Sequence, residues 1–252
     1  MAQYDGAYKV SKGLLSRFGR ERVVDTPITE TAMTGIACGS ALYGLKPILE
    51  FMTWNFALQG VDHIYNSCAK LNYMSGGELS GGSIVFRGLN GPAAAVAAQH
   101  SQCFASVFSN VPGLIVISPY DSEDCRGLLK SAIRSPNPVA FLENENLYSV
   151  SFEVDEDVMD PEFVVPIGKA KIMREGTDVT IVGYSRNVMY SLEAAAALEK
   201  EGISCEVVNL RTIRPMDRDT IVESVMKTGR LVTVEDGFPQ SGIGAEIIAI
   251  VN

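Results

Sequence analysis

The strongest constraint on this chain is the alternation of short β-rich runs with helical ones. Residues 84–87, 114–118 and 139–143 are β-rich, and the stretches 93–109 and 122–135 between them carry helical spacing. Strands separated by helices do not form hairpins, so this alternation predicts a parallel sheet covered by helices. Upstream, residues 47–51 read as a strand and 31–45 as a helix. The firmest helix is 122–135, where turn and cap residues at 118–124 precede Leu128, Leu129, Ala132 and Ile133 on one face.

Residues 144–166 break this pattern. They carry Glu153, Asp155, Glu156, Asp157, Asp160 and Glu162 with no helical period, which predicts an exposed acidic connection between two units. A second α/β unit follows, with strands expected at 178–184, 205–209 and 231–235 and helices at 188–201 and 219–227. The expected division is a first domain over 1–150, a linker over 151–167 and a second domain over 168–252. With about three core strands, and its last residues inside a helical pattern, the second unit is expected to be incomplete and to leave an unpaired sheet edge.

Composition narrows the function classes. A net charge of −9 would repel a phosphate backbone, so nucleic-acid binding is disfavoured. The longest apolar runs fall far short of the roughly 20 residues of a membrane span. The N-terminal residues hold neither an apolar signal core nor an Arg-rich run, so no targeting segment is expected within this chain. Cys38, Cys68, Cys103, Cys125 and Cys205 are odd in number and widely spaced, which fits a reducing compartment. With no CxxC pair and only two histidines, His63 and His100, a zinc site is hard to assemble. Phosphate-cradling and serine-hydrolase motifs are absent, and Gly76, Gly77, Gly81 and Gly82 form a flexible loop instead.

Two groups are candidates for chemistry. Glu30 follows the turn residues Asp25, Pro27 and Thr29 at the start of a helix, where it is either a helix-capping carboxylate or a functional one. Behind it Gly35, Ala37, Gly39, Ser40 and Ala41 leave room for another backbone or subunit. His100 sits beside Gln99, Ser101 and Gln102 in the expected helix 93–109, after a turn-rich strand end; it is either a satisfied, half-buried side chain or a reactive imidazole. His63 reads as an ordinary helix-surface residue. The aromatic stretch from Phe51 to Gln59 is most simply core packing.

Longer motifs go further. The strings AQYDGAYKVSKGL from Ala2, DTPITE from Asp25, EFMTWNF from Glu50 and YMSGG from Tyr73 continue with IVFRGLNG from Ile84 and AAQHSQCFA from Ala97. They end with PGLIVISPYDSED from Pro112, NLRTIRPMD from Asn209 and LVTVEDGFPQ from Leu231. Through these, nearly end to end, the chain resembles the beta subunits of the thiamine diphosphate-dependent pyruvate dehydrogenase component, a transketolase-like family.

The resemblance implies an α/β fold with a parallel-sheet pyrimidine-binding domain followed by a transketolase C-terminal-type domain. It also implies an assembly of two alpha and two beta subunits with thiamine diphosphate shared between them. Glu30 would bond N1′ of the aminopyrimidine and so help the cofactor activate itself, with Ile28, Met52, Phe56 and Gln59 around that ring. His100 would stand near acetyl transfer to the lipoyl group of an acyltransferase component, the step leading to acetyl-CoA in the whole complex. Main-chain oxygens at Ile84, Ala132, Ile133, Ser135 and Asn137 would hold potassium, although related chains often carry an acid at Ser135. Magnesium would be held mainly by the alpha subunit, since the family's GDG motif does not occur here.

Two departures stand out: the acidic pair usual before AQYDG is absent, and the last strands and helix of the second domain are missing. A branched-chain or acetoin-type 2-oxo acid dehydrogenase is the rival enzyme, and a non-catalytic scaffold the rival outside enzymes. A eukaryotic source would imply the mitochondrial matrix, and a bacterial one the cytoplasm.

Overall fold

A computed structural model describes residues 2–79, 82–93 and 96–252. In chain order its elements are α1 (Leu14–Phe18), α2 (Glu30–Leu42), β1 (Ile48–Thr53), α3 (Trp54–Ala57), α4 (Leu71–Met74), β2 (Val85–Leu89), α5 (Ala105–Ser109), β3 (Ile115–Ile117), α6 (Ser122–Arg134) and β4 (Val139–Glu143). The second half adds β5 (Lys171–Arg174), β6 (Val179–Gly183), α7 (Arg186–Glu199), β7 (Cys205–Asn209), β8 (Thr212–Arg214), α8 (Arg218–Thr228), β9 (Leu231–Val234) and α9 (Ile243–Val251).

The first sheet has the order β1-β2-β4-β3-β8. β1 to β4 are parallel, as the alternation predicts. β2 and β4 are buried at every position, which is why their sequences show a continuous run rather than an inside-outside alternation. The second sheet runs β5-β7-β6-β9.

Both sheets depart from the all-parallel expectation by one antiparallel edge. β8 leaves the second half of the chain to pair with β3 through Val116 with Arg214 and Ile117 with Thr212, and β5 pairs antiparallel to β7. At three and four residues these strands are too short to carry a period, and their pairing is entirely non-local.

The expected long helix over 93–109 is not formed. Ala94 and Ala95 lie outside the described residues, as do Ser80 and Gly81 of the expected glycine-rich loop. Ala93 and Ala97 have φ of 46° and 72°, a single helical turn spans Ala98–His100, and α5 begins only at Ala105. Helix propensity loses here because side chains take the backbone donors: Asn55 Oδ1 accepts from the Gln102 N–H and Asn90 Oδ1 from the Phe104 N–H.

The acidic connection after β4 is a strap rather than a free linker. Arg126 Nε donates to the Val158 carbonyl at 2.6 Å, Lys130 Nζ to the carbonyls of Asp160 and Pro161, and Ser131 Oγ to that of Val165. Val158 and Val165 are buried against α6, and a Cβ on Gly127 would lie 2.5 Å from Val165. Its acidic side chains face solvent while its backbone is held.

His63 is also not the surface residue expected. It is half-buried between α2 and the π-helical stretch His63–Ala69, its Nδ1 lies 3.1 Å from Ser67 Oγ, and its ring lies 3.0 Å from where a Cβ on Gly35 would stand.

The two halves are joined by a buried ion cluster. Arg211 Nε reaches Asp124 Oδ1 at 2.6 Å and its Nη2 reaches Glu123 at 2.6 Å, while Lys171 meets the other oxygen of Glu123. Asp124, which is fully buried, also accepts from Asn209 Nδ2 and the Tyr120 N–H.

Candidate active site

The candidate residues fall into two groups at opposite ends of the first sheet. At the C-terminal ends of β1 and β2, where sites collect in parallel sheets, stand Glu30, Phe56, Gln59 and His100. At the N-terminal ends of β2 and β4 stand Ile84 and the 132–137 turn.

Glu30 is the first residue of α2, half-buried, and its carboxylate makes no hydrogen bond or ion pair among the described residues. It is therefore not a capping group, and the N-cap Thr29 makes no side-chain cap bond either. The helix start is held by the segment after β1: Thr31 Oγ1 donates to the Gln59 carbonyl at 2.5 Å, and a Cβ on Gly60 would meet the Glu30 carbonyl at 3.0 Å. Glycine at 60 is thus required by close approach.

That same segment carries Phe56, whose ring meets His100 edge to face with centroids 5.3 Å apart. Thr53 Oγ1 caps α3 by accepting from the Asn55 N–H, and the Trp54 beside it is fully buried against Phe51 and Phe108. Packing of Trp54 is what aims Asn55 and Phe56 at the loop that bears His100. Glu30 and His100 are so brought to either side of one short stretch, residues 53–60.

Ile28 and Met52 remain uncovered. Ile28 is 96% exposed and Met52 58% exposed. Met52 lines a small cleft with Tyr8, Val10, Glu50, Arg87 and Tyr148 beside β1. Beneath this cleft Arg87 bridges Glu50 and both oxygens of Glu143, and Tyr148 donates to Glu143. This cluster stitches β1, β2 and β4 together.

Two hydroxyls near the candidates are shielded from solvent and have no hydrogen-bond partner among the described residues: Thr34 Oγ1, one turn beyond Glu30, and Ser101 Oγ, beside His100. Behind them Cys103 Sγ receives Asn90 Nδ2 at 3.3 Å and lies 3.7 Å from the Tyr184 hydroxyl of the second half. Burial raises the Cys103 thiol, so it stays protonated and is a packing group rather than a nucleophile.

At the other end of the sheet, Ser83 Oγ lies 3.1 Å from the Ile133 carbonyl and 2.7 Å from that of Ser135. The Ala132 carbonyl accepts from the Ser135 N–H and the Ile84 carbonyl from the Val139 N–H, while Ser135 Oγ accepts from the Asn137 N–H. The Ile133 and Ser135 carbonyls thus meet at the Ser83 hydroxyl, at the C-terminal end of α6 where the helix dipole is negative. No group of three or more His, Cys, Asp or Glu able to hold a metal ion occurs among the described residues.

Sequence reasoning missed Asn55, Asn90 and Ser83. The only available signal was an asparagine flanked by large apolar residues, where a polar side chain needs a specific partner.

Family comparison agrees with this architecture. A model of the transketolase pyrimidine binding domain matches residues 1–150, and one of the transketolase C-terminal domain matches residues 168–252. Among solved structures, a protein described as "Split gene transketolase, inactive beta4 tetramer" superposes with a TM-score of 0.77 at 26% identity, covering 96% of this chain and 74% of that one. Fold and matches together define a transketolase-type α/β protein.

Among curated relatives, the mitochondrial pyruvate dehydrogenase E1 component subunit beta of Pisum sativum is 63% identical over 247 residues, 98% of this chain and 68% of that protein. Subunit beta-2 of Oryza sativa subsp. japonica is 63% identical over 98% of this chain and 65% of its own length, and the Bos taurus subunit 61% over 99% and 69%. The chain belongs to the family of pyruvate dehydrogenase E1 component beta subunits. It spans about two thirds of the length of the relatives it matches.

Proposed function

We propose that this chain is the beta subunit of a pyruvate dehydrogenase. With an alpha partner, in an assembly of two of each, it decarboxylates pyruvate and acetylates a lipoyl group on an acyltransferase component. The observation that carries this is the unpartnered Glu30 carboxylate opening α2, whose start is bonded at Thr31 to the same segment, residues 53–60, that places Phe56 against His100.

These residues fit the pyrimidine of thiamine diphosphate. A free carboxylate, a half-buried aromatic face and the uncovered Ile28 await a ring with one basic nitrogen and apolar faces, and the orphaned hydroxyls of Thr34 and Ser101 await polar partners. When bound, thiamine diphosphate would supply the nucleophilic carbon and the electron sink that decarboxylation of a 2-oxo acid needs. Glu30 would hold the proton shared with the pyrimidine nitrogen, and Phe56, Ile28, Met52 and Gln59 would orient the ring and exclude water. His100 exchanges a proton with the lipoyl sulfur during acetyl transfer. The diphosphate and magnesium would be held mainly by the alpha subunit.

Two comparisons support the dependence on a partner and the compartment. The transketolase neighbour is described as an inactive beta4 tetramer of a split-gene transketolase. The relatives from Pisum, Oryza and Bos are named as mitochondrial, which supports the mitochondrial matrix as the compartment for a eukaryotic source. No helix among the described residues is long and apolar enough to cross a membrane.

Mixing this chain with an alpha subunit of the same family tests the reading. Pyruvate-dependent reduction of an artificial electron acceptor should appear in the mixture and be negligible for the chain alone. Turnover of branched-chain 2-oxo acids in place of pyruvate would overturn it. The carbonyl turn at Ser83, Ile84 and 132–137 is the proposed potassium site, which magnesium's preference for octahedral water and carboxylate ligands does not suit. Potassium chloride should raise the unfolding midpoint above that in choline chloride of equal ionic strength, with a logarithmic dependence on concentration. Equal midpoints would remove potassium from the reading.

A further inference from the structure

We infer that Asn55 is the positioning residue that sets the His100 imidazole for acetyl transfer, by gripping the backbone two residues beyond it. The inference rests on the proposed role of His100.

The geometry is a two-point clamp from one helical turn. Asn55 and Phe56 are consecutive in α3. Phe56 meets the His100 ring at 5.3 Å, and Asn55 Oδ1 accepts from the Gln102 N–H at 3.3 Å and from Gln102 Nε2 at 3.2 Å. Asn55 is 7% exposed, and its Nδ2 donates to Thr53 Oγ1 at 2.8 Å, which fixes which way the amide faces. A second asparagine holds the far side of the loop: Asn90 Oδ1 accepts from the Phe104 N–H at 2.7 Å, and the Gly91 N–H donates to the Gln102 carbonyl at 3.0 Å.

The loop needs this support. Its backbone has no regular partner, with Ala97 at φ 72° and only one helical turn at Ala98–His100. Without the Asn55 carbonyl oxygen the Gln102 N–H loses its partner on α3, and the edge contact of Phe56 with the His100 ring is what α3 still offers the loop. A catalytic group displaced by about 1 Å loses on the order of 100-fold in rate.

The experiment separates this from loss of fold. In the assembly with alpha subunit and acyltransferase component, N55A should slow lipoyl acetylation about 100-fold through kcat, and should slow acceptor-linked decarboxylation far less. N55D keeps an acceptor for the Gln102 N–H but loses the donor to Thr53 Oγ1, so it should restore part of the transfer. Diethyl pyrocarbonate labelling read by mass spectrometry gives a measure independent of turnover. The chain has only His63 and His100, so His100 should label several-fold faster in N55A while His63, packed under Gly35, keeps its rate.

Equal loss of both activities without rescue by N55D, or unchanged labelling of His100, overturns the positioning role. H100A is the control for the reading beneath it. If H100A transfers acetyl groups normally, the role of His100 falls; if H100A fails and N55A does not, only the clamp falls.

Discussion

Replacing Glu30 by glutamine (E30Q) is expected to lower pyruvate decarboxylation by the assembled enzyme about 10²- to 10⁴-fold, the usual contribution of a positioned acid or base. Gln keeps the length and hydrogen-bonding capacity of Glu but cannot take up or release a proton at this atom. The fold should be almost indifferent, because the Glu30 carboxylate has no partner among the described residues. Only its first-turn interaction with the helix dipole is lost, about 0.3–1 kcal/mol. Acceptor-linked turnover alongside thermal unfolding checks both halves of the expectation. Activity within about threefold of the parent, against the range above, would sink the proposed role of Glu30.

Arg211→Met is expected to produce the opposite pattern, a large loss of stability from a residue outside the crevice. Arg211 is 7% exposed and bonds Asp124, itself fully buried, and Glu123 across the junction of the two halves. Removing one partner of a buried pair leaves the other charge desolvated, at a cost of about 3–5 kcal/mol. Asp124 keeps Asn209 Nδ2 and the Tyr120 N–H, which puts the expected value near the lower bound.

The same cluster makes stability depend on pH. Burial pushes the Glu123 carboxyl up, but hydrogen bonds from Lys171 and Arg211 outweigh it and hold the group below its ordinary value. A depressed carboxylate contributes stability that is fully present above its unfolded value of about 4.3, and that contribution is lost as pH falls through the lower folded value. Denaturant titrations from pH 7 down to pH 3 should show this acid-side decline in the parent and a shallower one in R211M. A denaturation midpoint in R211M equal to the parent's would mean that the junction is held elsewhere.

Much of the scaffold was legible in the residues. The runs that became β3, β4 and β6 have a local pattern, because strands buried on both faces are apolar at nearly every position. The cap at Asp121, which accepts from the Asp124 N–H, marks the start of α6 from sequence spacing alone. β5 and β8 left no such mark, since a three- or four-residue edge strand is defined by what it pairs with. The loop before α5 read as a helix because alanines dominate it, and nothing local announces that Asn55 and Asn90 will take its amide donors.

The site divides in the same way. Glu30 and His100 stood out as candidates, the first after turn residues at a helix start and the second as one of two imidazoles, and family motifs assigned their roles. Their shared location is a tertiary result. Periodicity records which side of an element is buried, which is a local property of consecutive residues. It holds no record of the Thr31 hydroxyl meeting the Gln59 carbonyl 28 positions away, or of Asn55 meeting Gln102 across 47. Burial patterns and helix starts were thus determined by the sequence alone. The attachment of the Glu30 helix start and the His100 loop to one segment, residues 53–60, was decided by side-chain-to-backbone bonds that exist only once the sheet has brought the strand ends together.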